Sequence, residues 1–221
     1  MPWPPDRGGI VRLVTCQQGS KEWIAARVGV CTASMFRTAR SRKKGSSERT
    51  EAALDYAFRL AVEILSGEAL DDNFETWAMR RGHELEPDAR IAHQADIGVY
   101  VQPVGMVLSD DGRFGASADG WIGDDGGAEY KCLVSPAELR TTLIGHDLAK
   151  YMDQVQGNLW LSGRRYWDFG IYCPAMKAIG KDFFRWRIQR DEEYIEAMVA
   201  DLLEFDSLVQ DNVAELRKLA A

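Results

Sequence analysis

Residues 114–135 read Phe-Gly-Ala-Ser-Ala-Asp-Gly-Trp-Ile-Gly-Asp-Asp-Gly-Gly-Ala-Glu-Tyr-Lys-Cys-Leu-Val-Ser, and the fold turns on them. Asp124-Asp125-Gly126-Gly127 is a reverse-turn signal, so the stretch predicts a hairpin. Alternation along its second strand sets Glu129 and Lys131 on one face and Ala128, Tyr130 and Cys132 on the other. Folding back at Gly126 brings Asp119 to within a residue or two of Glu129. Two carboxylates and one ammonium then converge at the end of a sheet. Hard divalent cations such as Mg²⁺ take oxygen ligands, often one or two carboxylates with waters and phosphate oxygens completing the shell. A lysine beside them can orient or deprotonate water, or neutralise charge that develops on phosphate. The string Asp119…Glu129-Tyr130-Lys131 therefore reads as a metal-dependent phosphodiesterase centre. By itself it also fits the solvated face of a charged hairpin, and the surrounding sequence has to decide.

The chain has 221 residues, 46% hydrophobic and 28% charged, enough for one domain with a full core. No apolar run approaches the roughly 18 residues of a membrane span, and the start of the chain lacks a signal-peptide core, so a cytoplasmic protein is expected. Cys16, Cys31, Cys132 and Cys173 are scattered without a Cys-x-x-Cys pair, which disfavours a zinc site or disulfide framework. The histidines His83, His93 and His146 lack zinc-ligand spacing as well. The net charge of −7 argues against a surface that coats nucleic acid everywhere, but leaves room for a local basic groove. Arg37, Arg40, Arg42, Lys43 and Lys44 lie in a segment without an acid, and Lys177 to Arg190 form a second basic stretch. Both are candidate phosphate contacts or solvated faces.

Residues 1–9 predict a flexible tail, and 10–221 a single domain, because no repeat or low-complexity linker divides them. Ser20 is placed to cap a short helix ending near Gly29, and Thr32 to cap another. Residues 37–47 read as a loop. Leu54, Ala57, Phe58, Ala61, Ile64 and Leu65 recur at helical spacing over 48–65, closed by Gly67. Asn73 is a candidate cap for a helix that Gly82 interrupts and that resumes through Glu86. Residues 99–134 are strand-like. Ser135-Pro136-Ala137-Glu138 is a capping-box helix start. A helix over 147–161 ends at Gly163, 166–172 and 183–188 read as strands, and a long helix begins near Asp191. The pattern predicts an α/β (α+β) fold, a central mixed β-sheet flanked by helices.

Four blocks, in order, resemble the lambda-exonuclease-like phage alkaline nucleases, or YqaJ-type viral recombinases, within the PD-(D/E)xK superfamily. They are Gln18-Gly19-Ser20-Lys21-Glu22-Trp23…Ala26-Arg27…Thr32-Ala33-Ser34; Gly82-His83-Glu84-Leu85-Glu86-Pro87; Ser117-Ala118-Asp119-Gly120…Glu129-Tyr130-Lys131; and Tyr151…Gln154-Val155-Gln156 with Tyr172…Pro174. The resemblance runs from about residue 17 to 191 and implies the restriction-endonuclease-like nuclease core.

It also implies roles. Asp119, Glu129, Glu86 and the main-chain carbonyl of Tyr130 would hold Mg²⁺, with Mn²⁺ able to substitute. Lys131 would position or deprotonate the water, and Gln156 would orient it or a phosphate oxygen, Gln154 facing away. Arg27, Ser34 and Ser117 would form a 5′-phosphate pocket, and Arg37 to Lys44 a channel or loop contact to DNA. The implied activity is a 5′-to-3′ exodeoxyribonuclease on linear duplex ends. It would release 5′-mononucleotides and leave 3′ overhangs for phage recombination. The implied partners are double-stranded DNA ends, a single-strand annealing protein and two further copies in a homotrimeric ring. Two other readings keep the fold: a PD-(D/E)xK endonuclease of restriction or repair type, and a non-catalytic DNA-end-binding module. The 5′-phosphate pocket opposes the first and the intact Asp119, Glu129 and Lys131 oppose the second.

Overall fold

The computed structural model describes residues 12–70, 77–133 and 135–219. The expected tail over 1–9 lies outside the described residues, as do Asn73 and Phe74. In chain order the elements are β1 (Arg12–Val14), α1 (Lys21–Ala26), β2 (Cys31–Thr32), α2 (Phe36–Arg40), α3 (Glu51–Ser66), α4 (Trp77–Ile97), β3 (Val101–Gln102), β4 (Met106–Leu108), β5 (Phe114–Ala116), β6 (Gly120–Ile122), β7 (Gly126–Lys131), α5 (Pro136–Leu139), α6 (Met152–Ser162), β8 (Tyr166–Tyr172), β9 (Phe183–Gln189) and α7 (Glu192–Leu219).

The central sheet is mixed, with order β3-β6-β7-β8-β9. Its β7–β8 pair is parallel and its other pairs antiparallel. A second sheet, order β1-β4-β5-β2, holds a parallel β2–β5 pair. The strand-rich run expected over 99–134 is thus divided: β3, β6 and β7 join one sheet, β4 and β5 the other. The short segment from Ser117 to Asp119 crosses between them. That crossing is why Asp119 stands at a sheet end instead of inside a strand.

Alternation along β8 separates two cores. Trp167, Phe169 and Ile171 meet Val155 and Leu159 of α6 and Ile195, Met198, Leu202 and Phe205 of α7. The opposite sheet face packs Ala128 and Tyr130 of β7 and Tyr172 of β8 under Ala89, Leu85 and Ala92 of α4. Truncating one of the fully buried side chains, Leu202 for example, costs about 2–5 kcal/mol. The glycines at the start of β7 are required by close approach. A Cβ at Gly127 would lie 2.2 Å from the Trp167 ring.

Helix ends follow local chemistry. Ser20 accepts from the Trp23 amide (3.2 Å), and Thr50 caps α3 through the Ala53 amide. Gly67 and Gly163 end α3 and α6 in the left-handed conformation, φ +72° and +67°. Three expectations are corrected. The buried stripe of α3 is Ala53, Tyr56, Ala57, Leu60 and Ala61, whereas Leu54, Phe58, Ile64 and Leu65 stay more than a third exposed. Helix α4 runs unbroken through Gly82 and Pro87, because packing of Leu85 and Ala89 on the sheet outweighs their weak helix propensity. Residues 37–47 are not one loop: α2 extends to Arg40, and Arg42 bridges Arg49.

Candidate active site

The hairpin forms, but its turn is at residues 123–125 and not over Asp124–Gly127: Gly126 and Gly127 already belong to β7, and Gly120 stands opposite Ala128. Extending that register sets Asp119 opposite Glu129. The Asp119 amide donates to the Ala128 carbonyl (3.1 Å), and Asp119 Oδ2 accepts from the Tyr130 amide (2.5 Å). Glu129 is only 3% exposed. Its Oε1 accepts from Lys131 Nζ (2.7 Å) and Gln154 Nε2 (2.6 Å), and its Oε2 faces Asn158 Nδ2 at 3.5 Å. On α4, Glu86 accepts from Arg90 one turn on (2.6 Å).

The electrostatics are those of a site short of positive charge. Burial, then the nearby Glu129 and Glu86, push the Asp119 carboxyl well above its ordinary range. Burial likewise raises Glu86; Arg90 opposes the rise and Glu129 adds to it. Burial acts to lower the Lys131 ammonium, but Glu129 and Asp119 outweigh it and hold the pKa above normal. Three carboxylates therefore repel one another around one lysine.

This donor set fits a hard dication. Every group is an oxygen, and two positive charges would relieve the repulsion that raises Asp119. Among the described residues no three His, Cys, Asp or Glu side chains close into a cage. A Mg²⁺ ion held by one or two carboxylates, a carbonyl and waters needs no such cage. Asp119, Glu129 and the Tyr130 carbonyl would hold it, with Glu86 alongside.

Gln156 is corrected. Its side chain is 1% exposed, donates to the Gln189 carbonyl (2.9 Å) and accepts from the Asp191 amide (3.1 Å). It ties α6 to the end of β9 and the start of α7. Gln154, expected to face away, is the glutamine on Glu129. Residues two apart on a helix do point apart, but sequence alone left open which of the two points inward. Asn158 was missed altogether. Its signal was a polar residue one turn beyond Gln154 within the apolar run of α6.

Ser34 and Ser117 each lie two residues beyond the ends of the parallel pair β2–β5, whose register matches Thr32 with Gly115. Both chains thus leave the sheet on the same side. Ser34 Oγ lies 3.2 Å from Thr32 Oγ1, and Ser117 Oγ accepts from Trp23 Nε1 (2.9 Å). The Arg27 guanidinium stacks 4.1 Å over the Trp23 ring. Among the described residues it makes no ion pair, and burial lowers its pKa. A cation partly desolvated and left without an anion is a ready phosphate contact.

The basic segment is mostly spent within the fold, which corrects the expected DNA contacts. Arg40 pairs with Asp153 and Asp201. Arg42 pairs with Asp201 and Glu204 (2.6 Å), and Lys43 with Glu48 and Glu51. These pairs mainly clamp α2 and the turn after it to α6 and α7. Arg37 and Lys44 are exposed, with no ion pair among the described residues. In the second basic stretch, Lys177, Arg185, Arg187 and Arg190 also hold carboxylates.

The family described as the YqaJ-like viral recombinase domain matches residues 22–165. No curated protein sequence matches the chain. Among solved structures, the alkaline exonuclease LHK-Exo of Laribacter hongkongensis is 29% identical with a TM-score of 0.79, covering 91% of this chain and 98% of that one. LHK-Exo in complex with dAMP, with the same identity and coverage, gives 0.80. A phage related exonuclease from Haemophilus somnus 129PT shares the fold, with a TM-score of 0.62 at 15% identity over 87% of this chain and 96% of that one.

Proposed function

The chain belongs to the YqaJ-like viral recombinase family, and from that premise we propose that it is a Mg²⁺-dependent 5′-to-3′ exodeoxyribonuclease acting on linear duplex ends. The observation that carries the reading is the underpaired carboxylate cluster of Asp119, Glu129 and Glu86 around Lys131. The likeness to an alkaline exonuclease at 29% identity supports the reaction class. The complex of that relative with dAMP supports 5′-mononucleotides as the product.

When bound at this cluster, Mg²⁺ supplies positive charge to the scissile phosphate and makes water a stronger acid. The chain's own groups do the rest. Lys131, held as an ammonium on Glu129, can donate to and orient the attacking water or offset charge on phosphate. Gln154 fixes the rotamer of Glu129. Arg27, with Ser34 and Ser117, would hold the terminal 5′-phosphate and set the scissile bond one nucleotide inward. Arg37 and Lys44 are the remaining candidates for backbone contacts from the basic segment.

The recombinase family supports a place before strand annealing, with 3′ overhangs handed to a single-strand annealing protein. A homotrimeric ring is the proposed working assembly, in the cytoplasm of a bacterial host. No helix among the described residues is long and apolar enough to cross a membrane.

The test is digestion of one duplex in three forms with Mg²⁺: linear with 5′-phosphates, linear with 5′-hydroxyls, and covalently closed circular. The expected result is fast loss of the phosphorylated linear form, release of mononucleotides and an intact circle. Cutting of the circle would instead make this an endonuclease and return Arg27 to a packing role. EDTA should abolish digestion, and Mn²⁺ should restore it.

A further inference from the structure

Beneath the active hairpin, on the face opposite Glu129 and Lys131, lies a polar chain that the reaction itself does not use. His93 on α4 is fully buried, as is Asp168 on β8. His93 Nδ1 lies 2.8 Å from the Tyr130 hydroxyl, and His93 Nε2 lies 3.2 Å from Asp168 Oδ2. Arg187 on β9 donates from Nε to Asp168 Oδ1 (2.8 Å) and from Nη2 to Oδ2 (3.0 Å). Arg185 adds a longer contact to Asp168 and pairs with Asp96 (2.8 Å). Phe183 stacks on the imidazole, with ring centroids 5.3 Å apart.

Directions follow from the donors. An ionised Asp168 can only accept, so the imidazole carries a proton on Nε2, and in that neutral tautomer Nδ1 is the acceptor. The Tyr130 hydroxyl donates to that nitrogen. The chain therefore runs Tyr130 to His93 to Asp168, with Arg187 closing it, and every buried polar atom on it has a partner. It joins α4, β7, β8 and β9.

Its free end is Tyr130, whose backbone amide faces the active site. The amide before it holds Asp119 at 2.5 Å. The carbonyl after it is the candidate main-chain ligand. A residue whose backbone serves a site on one side while its side chain is fixed on the other cannot shift without moving both.

We propose that His93 and the Tyr130 hydroxyl, braced by Asp168 and Arg187, are positioning residues that fix the Tyr130 peptide and so set the divalent-cation affinity of the hairpin. This rests on the metal-dependent reading of the site. The alternative is that the network only stabilises the sheet, and the two differ in what Tyr130→Phe does. That change removes one oxygen, keeps the ring in its packed position and leaves all proposed metal donors in place.

The experiment measures Mn²⁺ binding by loss of the free-ion electron paramagnetic resonance signal, without DNA, alongside thermal melting. Wild type is read first. If it binds no Mn²⁺, the metal reading itself fails and the proposal falls with it. If it binds, Tyr130→Phe should weaken Mn²⁺ affinity by ~10-fold or more. It should also raise the Mg²⁺ needed for half-maximal digestion by a similar factor. His93→Gln, which can still accept from Tyr130 and donate to Asp168, should bind Mn²⁺ within about threefold of wild type. The double change Tyr130→Phe with His93→Leu removes both polar ends, so no buried atom of the pair is stranded even if the single variant folds poorly. It should be as weak in Mn²⁺ binding as Tyr130→Phe. Wild-type affinity in the single and double variants, whatever their melting temperatures, would overturn the proposal.

Discussion

Two carboxylates one strand apart behave in opposite ways. Asp168, opposite Ala128 in the β7–β8 register, has two bonds from Arg187 and one from His93. Burial would raise its pKa, but these donors outweigh it and hold the carboxyl at about 2. Asp119, opposite Glu129, receives one backbone amide and faces Glu129 and Glu86. Burial and those neighbours push it well above its ordinary range. The same residue type is satisfied within the sheet and frustrated at its end. A buried charge with its partners in place is a structural joint, while one left short of positive charge is waiting for a ligand.

The largest effect that tests this contrast is on chemistry. Lys131→Ala should lower mononucleotide release by at least ~10³-fold, with DNA binding retained in a gel-shift assay. Cleavage at the wild-type rate would break the assignment of the frustrated site.

Next come stability changes of opposite sign. Asp168→Asn should cost about 3 kcal/mol in urea unfolding, because it strands Arg187 and His93. The sign with pH follows from the lowered carboxyl. Its stabilisation is complete above the ordinary carboxylate pKa of about 3.9 and is lost as pH falls towards 2. The Asn variant should therefore show a flatter stability curve across that window. Asp119 has the reverse linkage. Its raised folded pKa means that the metal-free protein loses stability as pH rises above the ordinary carboxylate range. In EDTA at neutral pH, Asp119→Asn should melt higher than wild type, and added Mg²⁺ should stabilise only the wild type. Equal melting shifts for the two variants would erase the distinction.

Smaller effects sharpen it. Arg27→Gln should lose most of the preference for 5′-phosphorylated ends, ~10–100-fold in relative rate, with little change in melting temperature. The two glutamines should separate in the same way. Gln154→Ala should lower kcat by ~10-fold at near-normal stability. Gln156→Ala should lose about 1–3 kcal/mol of stability with kcat of the folded enzyme kept, measured by chemical unfolding and steady-state rates. Smallest of all, Arg37→Ala and Lys44→Ala should each reduce the salt slope of DNA binding by about one ion. Arg40→Ala should leave the slope unchanged and lower stability, because Arg40 is already paired with Asp153 and Asp201.

The sequence by itself determined the hairpin and its charges, and its register to within a residue or two. Asp-Gly turn chemistry and strand alternation are local rules, so residues 114–135 carried enough information to bring Asp119 near Glu129 and to align Lys131 with Glu129, while the structure set Asp119 opposite Glu129. Caps at Ser20, Gly67 and Gly163 are local in the same sense, whereas the cap at Thr50 falls two residues inside the expected helix. Tertiary structure alone decided which polar groups were spent. Helical periodicity admits either Gln154 or Gln156 towards the sheet, and the choice depends on where the Gln189 carbonyl and Asp191 amide come to rest, more than 30 residues away. A run of cations from Arg37 to Lys44 looks free until α7 brings Asp201 and Glu204 against it. Helix α4 survives Gly82 and Pro87 because a sheet assembled later in the chain gives it a face to bury. Charges and turns are written residue by residue, whereas the satisfaction of a charge is a property of three-dimensional neighbours, and no spacing rule reports it.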